Sequence, residues 1–140
     1  MDNPQVIDKI SDWKWFGGFF DGEGSCSMAS MYPCLTIVNS DPFAAKFCFD
    51  MLEQQNFLPI SHQRDKASKA NKRIRWDVKV SKISKAVEAC GFLAKYVQSK
   101  RKQMELISKL TLDTKPDRKQ YDKQMKYLNQ GSNKVIISDN

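Results

Sequence analysis

The chain has 140 residues, 41% of them hydrophobic and 28% charged, which suits one globular domain with a sizeable core. Its net charge of +7 is concentrated, because residues 61–102 hold 13 of the 23 Lys and Arg but only 3 of the 16 Asp and Glu. A basic middle favours a polyanionic partner, and no apolar run approaches the roughly 18 residues that would cross a membrane.

The N-terminal "MDNPQVIDKI" has acids and no apolar stretch of the kind a secretory signal carries. Ser11 or Asp12 then caps a helix through "DWKWFGGFFD". Phe16, Phe19 and Phe20 are spaced i, i+3, i+4, and Trp13, Gly17 and Phe20 are spaced i, i+4, i+7. Two apolar faces predict burial on both sides. Gly17 and Gly18 each cost up to about 1 kcal/mol relative to alanine, which a helix accepts where another backbone comes close. Gly22 and Gly24 are expected to end the helix in a left-handed turn.

"SCSMASMYPCLTIVN" reads as a β-hairpin turning at Pro33. Cys26 and Met28 alternate with Ser25, Ser27, Ala29 and Met31, and Leu35 and Ile37 share a face on the return. Asp41 and Pro42 start a second helix as cap and first residue, with Phe43, Phe47, Met51 and Leu52 on one stripe. "NFLPISHQR" and "KRIRWDVKVS" predict a second hairpin across the polar "DKASKAN". In its last strand Ile74, Trp76, Val78 and Val80 point one way, and Arg73, Arg75, Asp77 and Lys79 the other. Helices are expected over about 82–94, about 98–112 and, after Pro116, about 117–129. The domain is drawn as residues 1–130, with 131–140 as a short tail.

The order predicts an α+β fold, a four-stranded antiparallel sheet with helices on one face. Arginines at every second outward position suit a DNA major groove, although a solvated sheet face shows the same alternation. The four cysteines lack close pairing and there is one histidine, His62, so zinc is not expected. Free buried thiols in an intracellular, reducing compartment are expected instead. His62 is read as a strand residue near the core or DNA, not a catalyst.

"FGGFFDGEG", Phe16 to Gly24, resembles the motif of the LAGLIDADG homing endonucleases. The element order and "TIVNSD" before the second helix extend the resemblance over roughly residues 12–112. It implies an αββαββα fold with a saddle-shaped sheet, here with extra C-terminal helices. It implies site-specific DNA cleavage, a metal-dependent staggered double-strand break at a long near-palindromic target. Glu23 matches the metal-binding acid, as a glutamate where aspartate is commonest, and Asp21 the earlier, mainly structural acid. The cofactor implied is Mg2+, with Mn2+ as a substitute, and a carbonyl near Gly22 as a further ligand. Asn39 and Lys100 match looser active-site positions, with Arg101 and Lys102 as neighbouring alternatives to Lys100. A single motif implies a homodimer, with Trp13, Gly17, Gly18 and Phe20 at its interface.

Base readers on the outward strands are expected at Ser27, Ala29 and Thr36, and at Gln63, Arg64, Arg73, Arg75, Asp77 and Lys79. The register of "LPISHQR" leaves Gln63 and Arg64 as competitors. Lys66, Lys69 and Lys72 are expected at phosphates, which position without specifying. The competing class is a nucleic-acid-binding protein of the same fold that does not cut, an intron RNA maturase or a DNA-binding regulator.

Overall fold

A computed structural model of the chain describes residues 10–28, 32–64, 74–110 and 115–133. The elements run α1 (Ile10–Glu23), β1 (Gly24–Ser27), β2 (Cys34–Asn39), α2 (Pro42–Gln54), β3 (Ile60–Arg64), β4 (Arg75–Val80), α3 (Ile83–Leu93), a 3-10 turn (Ala94–Tyr96), α4 (Arg101–Ser108) and α5 (Lys115–Asn133). This is the expected order. The last helix runs past residue 130, so the expected tail begins inside α5.

One antiparallel sheet has the order β1-β2-β4-β3. Leu35 pairs with Val80 and Ile37 with Val78, so directly opposed apolar residues line one face. That face meets Cys26, Phe16, Phe20, Met51 and Leu93 in the core.

α1 buries one wide face, Trp13, Phe16, Gly17 and Phe20. The two apolar faces expected from the sequence are therefore halves of one, and Phe19 lies half-buried at its edge. Trp13 packs edge-on against Phe92 of α3 with ring centroids 4.9 Å apart. A Cβ on Gly17 would lie 1.8 Å from the Tyr96 carbonyl oxygen, so this glycine admits the chain's own backbone. The opposite face, Ser11, Trp15, Gly18 and Gly22, is exposed.

The expected left-handed glycine turn is absent, because no described glycine has positive φ. α1 instead passes straight into β1 at Gly24, where a Cβ would lie 2.5 Å from the Phe20 ring. The left-handed turn comes after α2, at Asn56 with φ 61°, where Asn56 N–H donates to Glu53 O and Phe57 N–H to Leu52 O.

Asp41 caps α2, accepting from Phe43 N at 2.9 Å, with Pro42 in the first turn as expected. The buried stripe of α2 is Ala45, Cys48, Met51 and Leu52. Phe43, expected on it, points outward at 82% exposure.

Candidate active site and nucleic-acid interface

The two acids that end α1 face different surroundings. Asp21 is occupied by its own chain: Oδ2 accepts from Gln98 N–H at 2.8 Å, and Oδ1 from Ser99 Oγ at 3.0 Å and Lys100 N–H at 3.1 Å. These bonds hold the turn that precedes α4. Asp21 is thus a structural acid.

Glu23 is exposed at the helix end. Its Oε1 accepts from Asn39 Nδ2 at 2.8 Å. Asn39 is itself fixed, because its Oδ1 accepts from Asp41 N–H at 2.8 Å. The turn that starts α2 therefore orients the amide, and the amide orients the carboxylate. Among the described residues no other group engages Glu23. Glu23, Val38, Asn39, Ser40 and Arg75 line a cleft of about 250 Å³ at the rim of the sheet.

Lys100 is half-buried at the start of α4, its backbone pinned to Asp21, with Arg101 and Lys102 exposed beside it. Arg101 is committed elsewhere, since its Nε donates to Ala94 O and Val97 O at 3.0 Å each. Gly22 is exposed, with nothing within 4 Å of where a Cβ would stand.

Register assigns the faces of the sheet. Ser25 pairs with Thr36 and Ser27 with Cys34 on the outward side, while Thr36 and Val38 oppose Lys79 and Asp77. Across β4, Ile60 opposes Lys79, His62 opposes Asp77 and Arg64 opposes Arg75. The outward face therefore carries Ser27, Thr36, Arg75, Asp77 and Lys79, as expected, and the Arg64 backbone pairs with Arg75. It also carries Ser25, Val38 and Ile60, which sequence reasoning did not name, and His62, which it placed near the core or DNA.

Gln63 is corrected, because it pairs with Trp76 on the helix side of the sheet. Asp77 is 4% exposed on the central strand, so it forms the floor of this face and does not project from it. Ala29, Lys66, Lys69, Lys72 and Arg73 lie outside the described residues.

Three expected interface residues are corrected as well. Trp13 and Phe20 are each 1% exposed within the single chain, and Gly17 is sealed by Tyr96. Gly18 remains open, with nothing within 4 Å of an added Cβ. Beside it Trp15, 41% exposed, stacks on Phe19 at 5.0 Å and meets Phe47 of α2 edge-on at 5.1 Å. Gly17 and Gly18, both expected at the interface, look alike in sequence but point about 100° apart on a helix, so only one of them faces outward.

Among the described residues no cluster of three or more His, Cys, Asp or Glu could hold a metal. No described helix is long and apolar enough to cross a membrane. The four cysteines are free, three of them buried and Cys34 half-buried.

No family model matches the chain, and no curated protein matches it in sequence. Its backbone is similar to solved structures of the homing endonuclease I-CvuI. One, in complex with its own DNA target and Ca, is 16% identical with a TM-score of 0.62, covering 84% of this chain and 82% of that one. Another, with the I-CreI target and Mg and its DNA not cleaved, is 17% identical with a TM-score of 0.60, covering 86% of this chain and 81% of that one. The chain thus has the fold of the homing endonucleases.

Proposed function

We propose that this protein is a site-specific DNA endonuclease of the LAGLIDADG type, acting as a homodimer on a near-palindromic duplex and leaving a staggered double-strand break. The observation that carries the reading is Glu23, an exposed carboxylate at the end of a buried helix, oriented by Asn39 and set in a rim cleft beside the outward sheet face.

The donor chemistry fits Mg2+. The ion takes oxygen ligands, keeps several waters, and is commonly bound by one or two carboxylates together with substrate phosphates. Glu23 supplies such an oxygen, and the carbonyl of exposed Gly22 lies one residue before it. When bound, the metal would activate water and neutralise charge at the phosphorus, with Mn2+ as a substitute. One described chain offers one such acid, and a second copy would bring the other.

Hydrolysis forms a bond from water oxygen to phosphorus and breaks the bond to the leaving sugar oxygen. The water proton ends on that oxygen. Asn39 is a positioning residue here: both ends of its amide are engaged, one by Glu23 and one by Asp41. Lys100, held by Asp21, is proposed to place a cation near the same phosphate.

The second copy is proposed to pack along the open face of α1. Gly18 and Gly22 are four residues apart and both bare, so two helix backbones could approach closely there. Trp15, Phe19 and Phe47 would flank the contact as an apolar ledge. Self-complementary contact about a two-fold axis places both copies of Glu23 on the same side. The outward faces of the two sheets would then read the two half-sites, with Arg64 and Lys79 as direct readers. Ala29, Gln63, Lys66, Lys69, Lys72 and Arg73 border that surface in sequence.

The test is a randomised duplex library incubated with purified protein in Mg2+ or in EDTA, with the cut ends sequenced. Discrete paired cuts on both strands, present only with the metal, are the expected result. Salt-sensitive binding without any cut would transfer the protein to the non-cleaving class, and intron RNA would then be the ligand to offer.

A further inference from the structure

Register places Arg75 apart from the other outward cations. Gly24 pairs with Ile37, so one step further back Glu23 lies beside Val38. Asn39 pairs with Trp76, so Arg75 lies beside Ser40. Glu23 and Arg75 thus flank the end of β2 from opposite sides, with the fixed amide of Asn39 between them. Strands lie about 4.8 Å apart, which puts the two backbones roughly 10 Å from each other. Both residues line the same 250 Å³ cleft.

We infer that Arg75 is a catalytic residue that binds the scissile phosphate, and not one of the base readers. This rests on the endonuclease reading. The cleft is bordered by an acid from α1 on one side of β2 and an arginine from β4 on the other, and its volume of about 250 Å³ admits a tetrahedral phosphate. Arginine suits that wall because its planar fork can donate to two phosphate oxygens at once. Charge on those oxygens grows as water attacks phosphorus, so a pre-placed guanidinium stabilises the transition state more than the bound substrate.

The other candidate cation, Lys100, follows the turn that Asp21 holds, and it does not line this cleft.

The experiment compares wild type, Arg75→Ala and Arg75→Lys on a site selected by the wild type. Affinity is measured in EDTA, and single-turnover cleavage is measured with the site saturated in Mg2+. Base preference is read by sequencing cuts in a library of variants of that site. Arg75→Ala is expected to slow the saturated cut on the order of 100-fold, the usual cost of losing one preorganised donor. Its affinity should fall no more than about tenfold, and its base preference should stay unchanged. Arg75→Lys should recover part of the rate, because it returns the charge without the fork.

Arg75 is exposed, so the variants should melt as the wild type does, which separates chemistry from folding. An Arg75→Ala enzyme that cuts its best site at the wild-type rate but accepts new bases at one position per half-site would make Arg75 a reader and overturn the inference. A wild type that cuts no DNA would remove the endonuclease reading itself, and this inference with it.

Discussion

Gly17 and Gly18 are adjacent and chemically identical, yet they face different surroundings on α1. Gly17 is closed by the Tyr96 backbone, and Gly18 faces open space. The acids at the helix end repeat the contrast. Asp21 is held in bonds to Gln98, Ser99 and Lys100, while Glu23 is exposed and touched only by Asn39 among the described residues. One side of the helix builds the core, and the other is exposed. A helix turns about 100° per residue, so a single step along the sequence is enough to move a residue from the core to the surface.

The contrast is easiest to break at Gly17. Gly17→Ala drives a methyl group into a carbonyl oxygen that cannot move without moving the turn at Ala94–Tyr96. The expected loss is at least about 3 kcal/mol, a large share of the roughly 5–15 kcal/mol that holds a domain folded. Urea unfolding would measure it, and many preparations should fail to fold at all.

Asp21→Ala comes next. It removes a charged acceptor from three donors at the start of α4. A loss of about 2–3 kcal/mol is expected in the same measurement. Cleavage should fall with it, since Lys100 is held by one of those bonds.

A third test asks how dry the buried side is. Burial pushes the Cys48 thiol up to about 12 from its ordinary 9.0. Burial also raises Cys90, with its hydrogen-bonded neighbour Cys26 adding to the effect. The unfolded chain ionises these thiols near their ordinary value. The Cys48 contribution is therefore complete below about pH 9 and is lost as pH rises from there toward about 12, and that of Cys90 is lost in the same direction. Each unit of that rise costs roughly 1.4 kcal/mol for Cys48. Cys48→Ala should flatten the decline in stability between about pH 8 and pH 10, whatever it does to stability at neutral pH.

The smallest effect sits on the open side. Gly18→Ala should leave the monomer fold intact or firmer by up to about 1 kcal/mol, because it only improves helix propensity. Gly18→Leu should do the same to the fold and yet weaken association, read as a shift from dimer toward monomer in sedimentation. A destabilised fold in either variant would mean that both glycines serve the core.

Much of the fold was legible because its signals are local. The Asp41–Pro42 cap, the alternation through Trp76, Val78 and Val80, and the order of elements follow from neighbouring residues alone. The errors arose where the deciding partner is distant in sequence. Gly17 meets Tyr96, which lies 79 positions away, and no helical periodicity separates that contact from one with a second chain. The face of Gln63 depended on which residue of β4 it opposes, and the apolar pattern of "LPISHQR" is too weak to set it. Phe43 was read from its hydrophobicity, although the sheet accepted Ala45 and Cys48 instead. At the candidate site, Glu23 and Asn39 were both legible, but their hydrogen bond was not, and neither was Arg75 as a wall of their cleft.

The most direct measurement of the central claim sets Glu23→Gln beside Asp21→Asn, with thermal unfolding and metal-dependent DNA cleavage recorded for both. The account predicts that Glu23→Gln melts like the wild type and does not cut, while Asp21→Asn melts lower. A Glu23→Gln protein that still cuts at the wild-type rate, or one that loses the stability expected of Asp21→Asn, would contradict it.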